Sequence, residues 1–222
     1  MTAGITFWLI VTMANLVVGA CVGLTGVAGF LLPITYTSLL GLGTTEGLAL
    51  SFGAFILSGV LGSVNYKKAG NLDVRFGLKL SVGSLVGAVI GVCLNMLIPE
   101  AGVKTLLYTV VLLSGISILL RKDKKPGSQE QEAESAFARN LPAVLALGAV
   151  TGAVCALSGA GGPVLVMPLL VLLGIPVRTA VGVALFNSVF IGIPACLGYF
   201  SQCISVDLVK ILAAALIFHG IG

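Results

Sequence analysis

The chain has 222 residues, of which 58% are hydrophobic and 9% are charged, and its formal net charge is +4. Soluble domains carry roughly 25% charged residues, so this chain, with a mean hydropathy of +1.15, has too few polar groups to cover a water-exposed surface. The apolar content excludes a disordered chain. The basic residues form no face for nucleic acid, so no nucleic-acid partner is expected. The composition predicts an all-α polytopic membrane protein in contact with the lipid bilayer.

Seven apolar segments follow one another along the chain. In order they cover residues 5–42, 47–65, 78–98, 103–120, 141–174, 179–198 and 206–222. A spanning helix needs about 20 apolar residues, a length that the second, third, fourth and sixth segments fit. The first and fifth are too long for one straight helix and contain glycine- and proline-rich interruptions, so each predicts a spanning helix, a break and a shorter half-helix. The seventh is short for a span, and we expect seven segments here of a total of eight.

The predicted organisation is a first transmembrane repeat at 1–120, a charged cytoplasmic linker at 121–140 and a second repeat at 141–222, incomplete at its C-terminus. The first apolar segment has no charged residues before it and continues past signal-peptide length, so we expect a retained helix. Basic residues cluster at 67–79 and 121–139. Two spans separate the clusters, which places both on one side of the membrane, and the excess of positive charge predicts that this side is cytoplasmic.

An internal repeat relates the two halves at a fixed offset of 133 residues. The residues that recur include Gly19, Ala20, Leu24, Gly26, Gly29, Gly41, Gly59 and Tyr66, which match Gly152, Ala153, Leu157, Gly159, Gly162, Gly174, Gly192 and Tyr199. The glycines match at each interruption without a gap. Paired segments interrupted by glycine or proline at corresponding positions are typical of the binding site of a secondary transporter.

The two interruptions, which we call the first break (residues 25–29) and the second break (residues 158–162), predict a site for an anion. A break frees backbone groups that must be buried in protein or line a polar cavity, and N–H groups at the start of a half-helix carry partial positive charge. A hydroxyl residue precedes the glycines in each break and could cap the half-helix or touch a ligand. The predicted substrate-binding residues are Thr25, Gly26, Gly29, Ser158, Gly159, Gly161, Gly162 and Asn187.

Two alternatives stay open for these residues. The glycines could serve only close helix packing, as we predict for Gly83, Gly87 and Gly91 in the third segment. Asn187 could line the cavity or form a hydrogen bond between helices.

The sequence contains almost none of the residues that a catalytic or metal site would need. His219 is the only histidine, and the five cysteines form no CxxC motif, so no zinc site, catalytic residue or cofactor is expected. The sequence predicts that the protein is not an enzyme.

The sequence resembles the sulfite exporter TauE/SafE family of probable bacterial membrane transporters. The resemblance lies in residues 19–33, 66–73, 158–163 and 178–182, together with Pro168 and Gly174. The first break has fewer glycines than the family's usual run. The resemblance implies about eight spans and the movement of small sulfur-containing anions, such as sulfite or sulfonates, across the bacterial inner membrane.

The relative orientation of the repeats depends on how often each broken segment crosses the bilayer. Because residues 29–42 are too short to span, we expect one crossing each, hence repeats of equal orientation about an axis along the membrane normal. Two crossings each would invert them. A membrane channel and a non-transporting membrane scaffold are the alternative functions, and homo-oligomerisation is left open.

Overall fold

The computed structural model describes residues 4–119 and 140–222, and this part of the chain forms nine helices and no strand. The helices are α1 (Ile5–Thr25), α2 (Ala28–Leu39), α3 (Thr44–Lys68), α4 (Val74–Asn95), α5 (Glu100–Leu119), α6 (Leu141–Ser158), α7 (Gly162–Leu172), α8 (Val177–Cys203) and α9 (Val206–Ile221). Of the predicted linker, residues 121–139 lie outside the described ranges.

Six of these helices are long and apolar enough to cross a membrane, namely α1, α3, α4, α5, α6 and α8. The prediction of an all-α polytopic membrane protein is therefore confirmed. The first and fifth apolar segments are broken as predicted, because α1 is followed by the short helix α2 and α6 by the short helix α7. Helix α2 is irregular, with a 3₁₀ turn, an α turn and a π turn in succession.

Helices α4 and α6 pack closely and run parallel. A Cβ atom added at Gly83, Gly87 or Gly91 of α4 would collide with the carbonyl oxygens of Leu145, Ala149 and Ala153 in α6, in that order. The matching order along both helices shows that they point the same way. The prediction that these three glycines serve close packing is confirmed, since only a missing side chain lets the backbones approach this far.

The long helices α3 and α8, which occupy equivalent positions in the two repeats, run antiparallel. A Cβ at Gly59 would lie 2.8 Å from the carbonyl oxygen of Leu185, and one at Gly192 would lie 3.4 Å from that of Phe52. Gly59 and Gly192 are equivalent at the 133-residue offset, as are Phe52 and Leu185. Later residues of one helix thus face earlier residues of the other, which only antiparallel helices allow.

The repeats are therefore inverted about an axis perpendicular to the helices, and the expectation of equal orientation was wrong. The error came from the short second half of each broken segment. Val22 and Gly23 at the end of α1 line the same cavity as Tyr66 at the end of α3, so both helices run toward one end of the bundle. Helix α2 reverses the chain between them.

Basic residues gather at one end of the bundle, which we call the basic end. Lys67 and Lys68 end α3, Arg75 lies in the first turn of α4, and Arg178 lies in the first turn of the antiparallel helix α8. Helix α6 is parallel to α4 and begins at the same end. The structure thus brings the turn after α3 and the start of α6 to one side, as the count of spans predicted.

Candidate functional site

The two breaks have the same local backbone geometry. Each begins with a glycine in the left-handed region, Gly26 with φ of 77° and Gly159 with φ of 75°, a conformation that glycine adopts without steric cost. The residue before each glycine accepts a hydrogen bond from the backbone two positions on. Thr25 Oγ1 accepts from the N–H of Val27 at 3.3 Å, and Ser158 Oγ accepts from the N–H of Ala160 at 3.2 Å. The hydroxyl residues therefore stabilise the turns.

Each break packs against the long helix of the other repeat. A Cβ at Gly26 would collide with the side chain of Val181 in α8, and a Cβ at Gly159 would collide with that of Leu48 in α3. Val181 and Leu48 are themselves equivalent in the repeat. The contacts are therefore reciprocal, because each repeat supplies the side chain against which the break of the other repeat packs.

Both breaks line one small hollow between the long helices, which we call the central hollow. Its volume is about 10 Å³, enough for a single water molecule. The residues of the breaks that line it are Gly26, Val27, Gly29, Ala160 and Gly161. Helix α7 begins at this point, and the N–H groups of its first turn have no acceptor within the helix.

One aromatic ring separates the two breaks at the central hollow. A Cβ at Gly29 would lie 2.7 Å from the ring of Phe55, and a Cβ at Gly161 would lie 3.3 Å from the same ring. Phe55 is 4% exposed and belongs to α3. Sequence reasoning missed it, because a phenylalanine in an apolar run carries no signal that distinguishes a lining residue from a packing residue. Ser58 and Ser188 also line the hollow.

The predicted site residues divide into three groups. Gly26, Gly29 and Gly161 line the central hollow, whereas Thr25 and Ser158 stabilise the turns beside it. Gly159 and Gly162 are buried against neighbouring helices, the latter with a Cβ position 2.7 Å from Ser188 Oγ.

Asn187 does not line the central hollow. It is 0% exposed, and its amide nitrogen and oxygen have no hydrogen-bond partner within the described ranges. Neither of the two alternatives proposed for Asn187 is therefore met.

The carbonyl groups at the end of α6 have side-chain partners drawn from other helices. Tyr199 donates its hydroxyl to the carbonyl of Ala156 at 2.8 Å, and Asn95 donates its amide to the carbonyl of Leu157 at 2.9 Å. Such groups lack partners within their own helix. These two bonds satisfy carbonyl groups that lie just before the second break.

Two larger cavities lie toward the two ends of the bundle. The basic-end cavity has a volume of about 190 Å³ and shares Val22, Ser58 and Leu185 with the central hollow. The opposite-end cavity has a volume of about 400 Å³ and a more polar lining that includes Thr44, Asn95, Glu100 and Gln202. It shares no lining residue with the central hollow.

Inverted repeats with broken helices that meet at one hollow define an architecture typical of membrane transporters. Comparison with known proteins gives the particular family. Residues 10–222 match the sulfite exporter TauE/SafE family, and the chain belongs to that family. It is similar to the probable membrane transporter protein YdhB of Bacillus subtilis (strain 168), with 23% identity over 215 residues that cover 94% of this chain and 86% of the relative. No solved structure matches the chain.

Proposed function

We propose that this membrane transporter is a secondary transporter that carries small, sulfur-containing anions such as sulfite or sulfonates across the bacterial inner membrane, with the basic end in the cytoplasm. The observation that carries the proposal is the convergence of both breaks on the central hollow, where Gly26 and Gly161 approach from different repeats.

The chemistry of the hollow favours an anion over a cation. Helix α7 starts at the hollow, and the partial positive charge of its first turn attracts negative charge. Among residues 4–119 and 140–222, no Asp or Glu lines the hollow. The hydroxyls of Ser58 and Ser188 donate to carbonyls of their own helix at 3.1 and 2.9 Å, and each can rotate its hydrogen toward a solute instead. The choice of a sulfur-containing anion follows the family's description.

The closed central hollow favours a transporter over an open channel. A channel needs a continuous polar path, whereas a space of about 10 Å³ is too small for a sulfite ion with its four heavy atoms. The basic-end cavity reaches the hollow and the opposite-end cavity does not. A solute would therefore enter from one side, and a change of conformation would release it on the other.

The test is counterflow in proteoliposomes loaded with sulfite, methanesulfonate or acetate. Uptake of labelled sulfite against a preloaded sulfite pool is expected, with a smaller response to acetate. A pore gives leak without counterflow, and a scaffold gives neither. No counterflow with any of these anions would contradict the proposal.

Gly161→Ala tests the site itself, with Gly70→Ala as the matched control. Both glycines have positive φ, 79° and 73°, so an added Cβ strains both by about 1–3 kcal/mol. At Gly161 the methyl group also meets Phe55, whereas at Gly70 it meets nothing within 4 Å in the described part of the chain. We expect Gly161→Ala to lose most counterflow and Gly70→Ala to keep it at comparable stability. Equal activity of the two variants would place the substrate elsewhere.

A further inference from the structure

We propose that Tyr199 and Tyr66 are a pair of alternating gates, each of which closes one side of the central hollow while the other is open. The proposal rests on the proposed transport function and adds the residues that govern access to its site. Tyr199 and Tyr66 occupy equivalent positions in the inverted repeats.

Tyr199 closes the side of the hollow that faces the opposite-end cavity. It is 0% exposed, its ring stacks on Phe52 with centroids 5.9 Å apart and planes 14° apart, and its hydroxyl donates to the carbonyl of Ala156 at 2.8 Å. These three residues come from α8, α3 and α6. They join the two long helices to the helix that leads into the second break.

The counterparts of these three residues line the open side. At the 133-residue offset, Tyr199 corresponds to Tyr66, Phe52 to Leu185 and Ala156 to Gly23. Tyr66, Leu185 and Gly23 all line the basic-end cavity. The same three positions therefore form a closed contact in one half of the molecule and surround an open space in the other.

The closed contact predicts the form that the open side takes after the conformational change. If the two halves exchange their arrangements, the ring of Tyr66 packs on Leu185 and its hydroxyl donates to the carbonyl of Gly23. That carbonyl lies near the end of α1, where carbonyl groups have no partner within the helix. The basic-end cavity then closes, while the contact of Tyr199 with Ala156 and Phe52 opens.

The two gates differ in the side chain that packs against the tyrosine, Phe52 in one and Leu185 in the other, and this difference sets the resting state. A tyrosine stacked on phenylalanine gains more than a tyrosine packed on leucine, because an aromatic pair has an attraction beyond area burial. The Tyr199 gate is therefore the stronger one, and the conformation open toward the basic end is favoured without substrate.

The experiment measures cysteine labelling on either side of the gates. Ser58 lines the central hollow and the basic-end cavity, and Ile191 is its counterpart in the other repeat, 1% exposed. Ser58→Cys and Ile191→Cys are introduced separately into a full-length background without native cysteines. A membrane-impermeant methanethiosulfonate is applied from the cytoplasmic side to the first and from the periplasmic side to the second, in the absence of any anion substrate.

Three tyrosine variants are compared on these reporters. Tyr199→Phe should raise the labelling rate of Ile191→Cys about two- to tenfold, the range expected for one net hydrogen bond, and Tyr66→Phe should lower it. Tyr108→Phe removes a hydroxyl from a ring that is 49% exposed on α5 and should leave the rate unchanged. If Tyr199→Phe does not fold, Phe52→Leu weakens the same contact and should raise the rate as well.

Rates that shift in the same direction for Tyr199→Phe and Tyr66→Phe, or that match the Tyr108→Phe rate, would overturn the gate proposal. Since labelling needs no substrate, the gate proposal can be wrong while the transport proposal holds, and the converse is also possible. Opposite shifts without counterflow of any anion would leave the gates standing and refute anion transport. Counterflow without these shifts would support anion transport and refute the gate proposal.

Discussion

The first break is exposed at its start and buried at Gly26 and Gly29, whereas the second break is buried throughout. Leu24 is 85% exposed and Thr25 is exposed, but Ser158 and Ala160 are both 0% exposed. Their backbone geometry is nevertheless the same, with a left-handed glycine and a hydroxyl-stabilised turn in each. The sequence repeat therefore encodes the backbone shape of each break, while the packing of neighbouring helices determines how much of each break is buried.

The close contacts lie at different distances from the two breaks. Helix α1 approaches α9 closely at Gly19, where an added Cβ would collide with the carbonyl oxygen of His219, but not at Gly23 beside the break. Helices α4 and α6 are in contact along a row of glycines beside the second break, whereas Gly23, near the first break, has its nearest Cβ neighbour at 4.0 Å, the carbonyl oxygen of Gly222.

The largest effect is expected when a methyl group is added to the close pair of helices. Gly87→Ala would collide with the backbone of Ala149, and a backbone atom cannot move aside as a flexible side chain can, so we expect a loss of about 2–3 kcal/mol. Gly23→Ala makes only an ordinary van der Waals contact with Gly222 and should be neutral or stabilising by up to about 1 kcal/mol through helix propensity. Thermal unfolding in detergent measures both. Equal losses would mean that the backbone around Gly23 is packed as tightly as that around Gly87.

A smaller effect is expected when the hydroxyl of each break is removed. Ser158→Ala leaves the buried N–H of Ala160 without its partner and should cost about 1–3 kcal/mol. Thr25→Ala removes the equivalent bond at an exposed turn, where water replaces it, and should change stability by less than about 0.5 kcal/mol. Chemical unfolding of the two variants side by side gives the difference. A Thr25→Ala loss as large as that of Ser158→Ala would contradict the unequal burial of the breaks.

The smallest effect concerns a bond that only the second break has. Cys155 donates its thiol to the carbonyl of Gly161 at 3.4 Å, whereas its counterpart Val22 has no donor. Cys155→Ser keeps a donor of similar size and should stay within about 1 kcal/mol of the natural sequence, and Cys155→Ala should lose more. Unfolding temperatures check the order. If Cys155→Ala were the more stable variant, the thiol would not hold the second break.

The sequence predicted the breaks well because their signals are local. Gly26 and Gly159 mark positions where a helix ends in a left-handed residue, and the long apolar runs around them exceed one span. The packing role of Gly83, Gly87 and Gly91 was also predicted, since small residues at a spacing of four share one helix face.

The direction of the repeats could not be obtained in the same way. It depends on contacts such as that of Gly59 with Leu185, which join residues far apart in the chain. Phe55 and Tyr199 were missed for a related reason. In an apolar segment an aromatic residue has the same appearance whether it packs, lines a hollow or closes it, and only the neighbours from other helices distinguish these roles. Ser158 was predicted to cap the half-helix or touch a ligand. Its oxygen accepts from the N–H of Ala160, and contact with a ligand stays a prediction.

The exchanged contacts of Gly26 with Val181 and of Gly159 with Leu48 have the reciprocity of an isologous dimer interface, in which one surface patch serves both partners. Here a single polypeptide supplies both partners. The glycine turn of each repeat packs against a residue of the other repeat. Either repeat produced by itself would therefore lack the surface against which its glycine turn packs. The two repeats thus depend on each other for packing. A substitution at Val181 or Leu48 in one repeat is expected to disturb the glycine turn of the other.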